Sequence, residues 1–302
     1  MPPFILHPSY ILKEGLDFCG IGQERQDRLG MTTKIRLFKS HYGRHPLHLS
    51  RVYRDLQIQG LLDTEDAKCK TTFHAFLLGN NMLKCYDEGD LMYSRFPMGL
   101  ENIAELSWEF IEKIASLKPY KIKCPTQWPV KLGASVDGTH YATNEPRDPN
   151  MRRNPQNFSY KHNVAGLNYQ IVLSLWTQEI YYANSGDPAS VHDMTAIRAE
   201  FLDMVPANCR VVADAGYSGK TEREKRIFSV ENNLDCEAVK ELKARAKSRH
   251  ETINSRLKLY KCLKHRGRHG IEKHKLCFAA CLVLIQYSIE DTSPAGEPLF
   301  TI

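Results

Sequence analysis

Leu132-Gly133-Ala134-Ser135-Val136-Asp137-Gly138-Thr139-His140 is an apolar run that ends on an acid with a glycine behind it. Cys209-Arg210-Val211-Val212-Ala213-Asp214-Ala215-Gly216-Tyr217 repeats the plan. Short apolar runs of this kind read as buried strands, which puts Asp137 and Asp214 at strand ends. A third acid, Glu251, stands in a basic stretch of helical character, Lys247-Ser248-Arg249-His250-Glu251-Thr252-Ile253-Asn254-Ser255-Arg256-Leu257-Lys258. Neighbouring strands lie only about 4.8 Å apart, so the two aspartates converge if their strands are adjacent. A helical carboxylate crossing nearby would complete the set. Two divalent cations about 3.5–4 Å apart need such a concentration of oxygen ligands, and Mg²⁺ prefers carboxylates and water. The competing reading is plain: Asp-Gly and Asp-Ala-Gly are ordinary turn chemistry, and Glu251 has Lys247 one helical turn before it as an ion-pair partner.

Outward from these stretches, strands are expected over residues 132–136, 169–176, 179–183 and 209–213, the second and third joined as a hairpin. Helices are expected over 194–204, from Thr221 to about 230 with Glu224 at the capping-box position, over 237–263 and over 271–289. This order fits an α/β unit with a mixed sheet flanked by helices. Upstream, residues 1–30 are a loose lead-in, and residues 31–118 have helical periodicity. Pro46 is a good first helical residue, and Ile103, Leu106, Phe110, Ile111 and Ile114 form one stripe. The turn Phe96-Pro97-Met98-Gly99 is a weak signal for a helix-turn-helix, since short helices joined by Pro/Gly turns more often form plain bundles. Residues 119–131 are proline-rich and aperiodic, as a linker is, and residues 132–302 form the second domain.

Other polar residues stand close by in sequence. His140 follows Asp137 by three positions, Asn254 follows Glu251 by three, and His250 is adjacent to Glu251. His192-Asp193 opens the helix after the hairpin, with Asp193 as its expected N-cap. These are candidates to support the ligands, and His250 also to contact phosphate. Lys247, Arg249, Arg256 and Lys258 are the candidate phosphate contacts. Cys262, His265, His269, His274, Cys277 and Cys281 hold enough ligand types for zinc, but their spacing is not a finger pattern.

The 302-residue chain is 42% hydrophobic and 25% charged, ordinary for a globular protein. Residues 240–275 carry 13 Lys/Arg against three acids, although the whole chain is only +6. Positive charge is therefore concentrated around Glu251, which suits a polyanion such as nucleic acid. Nine cysteines without a CxxC pair argue against a disulfide framework and for a reducing compartment. The longest apolar run, 276–285, has ten residues, short of the about 20 that a membrane span needs. The N-terminus lacks the pattern of a signal peptide.

Six short motifs in order resemble the PIF/Harbinger superfamily of cut-and-paste transposases, with their DDE superfamily endonuclease domain. They are Ser135-Val136-Asp137-Gly138-Thr139-His140, Phe158-Ser159-Tyr160-Lys161, Ser190-Val191-His192-Asp193-Met194, Ala213-Asp214-Ala215-Gly216-Tyr217, the stretch from Arg249 to Lys258, and Gly296-Glu297-Pro298-Leu299-Phe300. The resemblance implies an RNase H-like fold and a catalytic, metal-binding triad of Asp137, Asp214 and Glu251 holding two Mg²⁺ or Mn²⁺ ions. It implies cutting of DNA and transfer of 3′ ends, a homodimer, a separate Myb-like DNA-binding partner and a nuclear location. Members of such families are also domesticated into non-catalytic DNA- or partner-binding proteins. An RNase H-like hydrolase of RNA or hybrids is a third possibility.

Overall fold

The computed structural model describes residues 2–128, 130–145, 155–198, 200–217, 221–228 and 236–291. The chain divides into two compact units, both discontinuous in sequence. One comprises Met1–Lys121, Leu257–His265 and Leu276–Ser288; the other Ile122–Arg256, Arg266–Lys275 and Ile289–Ile302. Among the described residues no helix is long and apolar enough to cross a membrane.

The first unit is helical. It contains α1 (Pro8–Phe18), α2 (Gln23–Asp27), α3 (Met31–Tyr42), α4 (Pro46–Ile58), α5 (Thr64–Lys68), α6 (Lys70–Cys85), α7 (Gly89–Arg95), α8 (Leu100–Ser116) and α9 (Lys118–Lys121). The N-terminal lead-in is therefore partly helical, and the linker opens with one helical turn. Pro46 occupies the first turn of α4, and the His45 ring accepts from the Leu47 N–H. The stripe on α8 is buried at Ile103, Phe110, Ile111 and Ile114. Phe76 packs edge-on against Tyr53 and Phe110.

The second unit holds the sheet: β1 (Leu132–Ala142), β2 (Phe158–Ser159), β3 (Val164–Ser174), β4 (Ile180–Ala183), β5 (Asp187–Pro188), β6 (Arg210–Val212) and β7 (Ile227–Phe228). The order is β2-β3-β1-β6-β7, with β4 and β5 also paired to β3. β1 pairs antiparallel with β3 and parallel with β6, and β6 pairs parallel with β7. The sheet is mixed and flanked by helices. The unit's helices are α10 (Asp193–Arg198) and α11 (Phe201–Met204), between β5 and β6, and α12 (Glu237–Leu257), after β7; α13 (Lys261–Lys264) and most of α14 (Ile271–Asp291) belong to the helical unit.

One sheet face, with Ala134, Val136 and Val211, buries Met194, Ile197 and Phe201 of α10 and α11. On the other, Leu175 and Val212 pack against Ala246 of α12, with Leu242 beside them. The strand alternation along β1 therefore sends Ala134 and Val136 to α10 and Ser135 and Asp137 toward α12.

Several expectations change. The helix expected over 237–263 ends at Leu257, and after Tyr260, which is extended (φ −86°, ψ 119°), only the single turn Lys261–Lys264 follows. The strand expected over 132–136 continues to Ala142, because its ladder with β3 runs to Ala142 opposite Gly166; Asp137 is inside the strand. The helix expected over 194–204 breaks at Glu200, whose φ of −129° is not helical. The helix expected from Thr221 is a single tight turn, Glu224–Arg226, followed by β7. Its capping box does form, with Thr221 and Glu224 bonding each other's backbone N–H. Ile227 then leaves the helix to pair with Val211. Residues 229–230 and the motif at 296–300 lie outside the described residues.

His274 is buried and shares a 2.9 Å hydrogen bond with the Tyr169 hydroxyl. Burial, reinforced by His140, pulls its pKa down to about 4. The unfolded chain therefore binds a proton between about pH 6.5 and 4 that the folded one does not, and stability should fall as pH falls through that window. His274→Gln, which keeps an acceptor for the hydroxyl, should make that slope shallower by up to one proton, about 1.4 kcal/mol per pH unit. Urea unfolding across pH 4–6.5 checks it; an unchanged slope would show that His274 does not titrate differently on folding.

Candidate active site

The site grows out of the β1–β6 register. Ala134 lies opposite Val211 and Ser135 opposite Val212. The chains run parallel, so Asp137 and Asp214 each stand two residues further along neighbouring segments. Both line a cavity of about 480 Å³, together with Ser135, Lys240, Lys243, Lys247 and His250. Each carboxylate is oriented by a nearby backbone donor: Asp137 Oδ1 accepts from the Gly138 N–H at 2.8 Å, and Asp214 Oδ1 from the Gly216 N–H at 2.9 Å.

A third carboxylate stands beside them. Asp193 Oδ1 accepts from Gln170 Nε2 at 2.8 Å, and Gln170 Oε1 accepts from the Tyr217 hydroxyl. A Cβ on Gly138 would lie 3.0 Å from Asp193 Oδ1. One on Gly216 would lie 3.0 Å from Asp214 Oδ1 and 3.5 Å from Asp193 Oδ2. The two glycines in the motifs thus leave room for carboxylates. Burial raises Asp137 to about pKa 6; Asp214 and Asp193 push the same way, while the Gly138 N–H and Lys247 oppose them. Burial, then Asp193, Asp137 and Asp214, hold the Tyr217 phenol far above its usual pKa. The expected N-cap role of Asp193 belongs instead to His192, whose ring accepts from the Met194 N–H and whose carbonyl accepts from Ala196.

Residues 136–286 match the family described as DDE superfamily endonuclease, half of the chain. The chain belongs to that family. No curated protein and no solved structure matches it.

Glu251, the acid expected to join Asp137 and Asp214, is placed differently from them. Glu251 is exposed on α12, one turn beyond Lys247, and is not among the cavity-lining residues. Among the described residues no group of three His, Cys, Asp or Glu side chains is arranged to hold a metal ion. The donor chemistry still fits a hard divalent cation: Asp137 and Asp214 offer oxygen ligands, and burial, then Asp214 and Asp193, disfavour the charged form of Asp137, which a cation would favour. Cys262 and Cys281 are buried with their sulfurs 3.7 Å apart, and Cys277 is buried as well. All three pack as small apolar groups.

The basic residues of the DDE family member separate into two kinds. Lys247 is exposed, lines the cavity and acts on Asp137. Lys240 and Lys243 line the same cavity and escaped the sequence reading, although their positions three or four residues apart share a face with Lys247. Arg249 is only 4% exposed; it donates to the carbonyls of Ser174 and Thr177, the latter at 2.8 Å. It anchors α12 to the turn after β3 and is withdrawn from phosphate. His250 is buried too, with Nε2 2.9 Å from Ser135 Oγ, and burial lowers its pKa to about 3. A buried ring bonded to Ser135 holds the helix on β1, at the edge of the cavity. His140 stacks on His162 with centroids 4.6 Å apart. Asn254 and Arg256 are half-buried, and Lys258 is exposed in the helical unit.

Arg249→Ala should destabilise the sheet unit by about 2–3 kcal/mol, since charge-assisted hydrogen bonds are lost and buried carbonyls are left bare. Lys247→Ala should stay within about 0.5 kcal/mol of the parent. Urea unfolding of the two variants tests the assignment, and equal stabilities would deny Arg249 its anchoring role.

Proposed function

We propose that the chain is a DDE-type transposase or endonuclease that cuts DNA and transfers 3′ ends, on an RNase H-like fold of the PIF/Harbinger kind. The observation that carries this reading is the placement of Asp137 and Asp214 side by side over a lysine-lined cavity. Asp137 and Asp214 hold Mg²⁺ or Mn²⁺, and Glu251 supplies the third carboxylate. Bound divalent ions of this type acidify an attacking water or 3′-hydroxyl and offset charge on the leaving oxygen. The backbone N–H groups of Gly138 and Gly216 aim the two carboxylates. Asp193, held by Gln170, supports them from the α10 side. Lys240, Lys243 and Lys247 neutralise the scissile strand's phosphates, with Arg256 and Lys258 as further contacts. A homodimer, a Myb-like accessory protein and a nuclear setting complete this reading.

One observation favours a second reading. Glu251 stands apart from the cavity and no ready three-ligand group is formed among the described residues. A domesticated protein that binds DNA or a partner without cutting would need neither.

Purified protein should nick DNA and join 3′ ends in Mn²⁺. Asp137→Asn, Asp214→Asn and Glu251→Gln should each lose activity on the order of 10³-fold or more, as removal of one member of a catalytic unit does. Parent-like cleavage by Glu251→Gln would remove that residue from the site. No cleavage by any form, with salt-sensitive binding intact, would favour the second reading. Preference for RNA or hybrid strands would redirect the substrate. Lys247→Ala should make the salt dependence of duplex binding shallower by about 0.9 in log–log slope.

A further inference from the structure

Among the described residues Arg44 forms no ion pair. It lies in the loop between α3 and α4 of the helical unit and is 6% exposed. Its Nε and Nη2 are buried and have no hydrogen-bond partner among the described residues. The guanidinium lies over the Tyr260 ring, with Cζ 5.1 Å from the centroid. Gly43 makes this approach possible. It ends α3 at φ +80°, and a Cβ there would lie 2.7 Å from Tyr260 Cε1.

Two more cations surround the same spot, from elements of the same unit. Lys84, near the end of α6, donates from Nζ to the Leu259 carbonyl at 2.7 Å, which tethers its ammonium beside Tyr260. Lys261 is the first residue of α13 and is exposed. Burial, with the like charges of Arg44 and Lys261 added, pulls the Lys84 ammonium below its ordinary pKa. Burying an unpaired guanidinium costs more than a ring contact returns. An anion held there would offset that cost. A carboxylate has two oxygens, which the Arg44 fork alone would occupy. A phosphate has oxygens enough for Arg44, Lys84 and Lys261 together.

We propose that Arg44, Lys84 and Lys261 form a phosphate-binding site in the helical unit, additional to the aspartate cavity. Its occupant is a phosphodiester of DNA or a free phosphate. Only the DNA alternative rests on the nucleic-acid reading above.

The test uses the full chain in a metal chelator, so that cleavage plays no part. Thermal unfolding is compared in inorganic phosphate and in chloride at equal ionic strength, for the parent, Arg44→Met and Lys261→Ala. Phosphate should raise the parent's midpoint. Arg44→Met should start from a higher midpoint, because an apolar side chain removes the unpaired charge, and should lose the specific response. Lys261→Ala, an exposed change, should keep the fold and weaken phosphate several-fold; it decides alone if Arg44→Met fails to fold. Duplex DNA is then titrated against salt. A log–log slope smaller by about 0.9 in Lys261→Ala assigns the site to DNA. An unchanged slope beside a phosphate response assigns it to free phosphate. A phosphate response equal in all three proteins, or absent from the parent, together with an unchanged DNA slope, overturns the proposal. A positive phosphate response without any DNA cleavage in Mn²⁺ would count against the catalytic reading and leave this site standing.

Discussion

The pairing of β1 with an antiparallel neighbour on one side and a parallel neighbour on the other is the constraint on which the site depends. The long ladder with β3, from Ala134 opposite Ser174 to Ala142 opposite Gly166, fixes which face each β1 residue takes. Side chains alternate with period two, so a slip of one residue would bury Asp137 among Met194, Ile197 and Phe201 and turn Val136 toward the lysines. The apolar face resists that slip. The parallel register with β6 then decides what stands next to Asp137. Val212 is opposite Ser135, and two further residues along each segment bring two carboxylates to one cavity.

That proximity is unfavourable by itself. Three aspartates influence one another, and Asp137 shows the strain in a raised pKa whose first cause is burial. A stable fold tolerates the arrangement because the carboxylates are partly offset by backbone N–H groups, by Gln170 and by Lys247. The opposite sign faces them across the cavity, from Lys240, Lys243 and Lys247 on one helix. Acids on the sheet and bases on the helix make a space in which a phosphate can meet cationic side chains while the carboxylates remain open to a divalent ion. The sheet and the helix need not be precise about sequence to do this; they need the right face and the right sign.

Much of this geometry was legible along the chain. The apolar runs before Asp137 and Asp214 announced buried strands, and the hairpin and the basic helix were readable from periodicity. Long-range pairing was not. Nothing local says that β1 continues past Asp137, because that continuation is made by β3. The Thr221–Glu224 capping box is a true helix-start signal, yet Ile227 is claimed by Val211 after a single turn. Charge alone also could not separate Arg249 from Lys247. Both stand in the same basic stretch, but Arg249 has the sheet-facing position and spends its donors on two carbonyls. Asp193 looked like a cap because it stands at a helix start, where His192 performs that task.

Arg249 and His250 also explain why Glu251 is held apart. Successive residues on a helix are separated by about 100°. With Arg249 bonded to the turn after β3 and His250 to Ser135, the roll of α12 is fixed by two buried contacts. Glu251 falls on the flank, nearly in line with Lys247 but about 6 Å further along the axis. Rolling the helix to bring this carboxylate over Asp137 would break both anchors and expose the apolar face that contains Ala246 and Ile253. Sliding it would keep the face but still cost the anchors. The remaining freedom lies in the Glu251 side chain itself, which is exposed and free to change rotamer while the backbone stays in place.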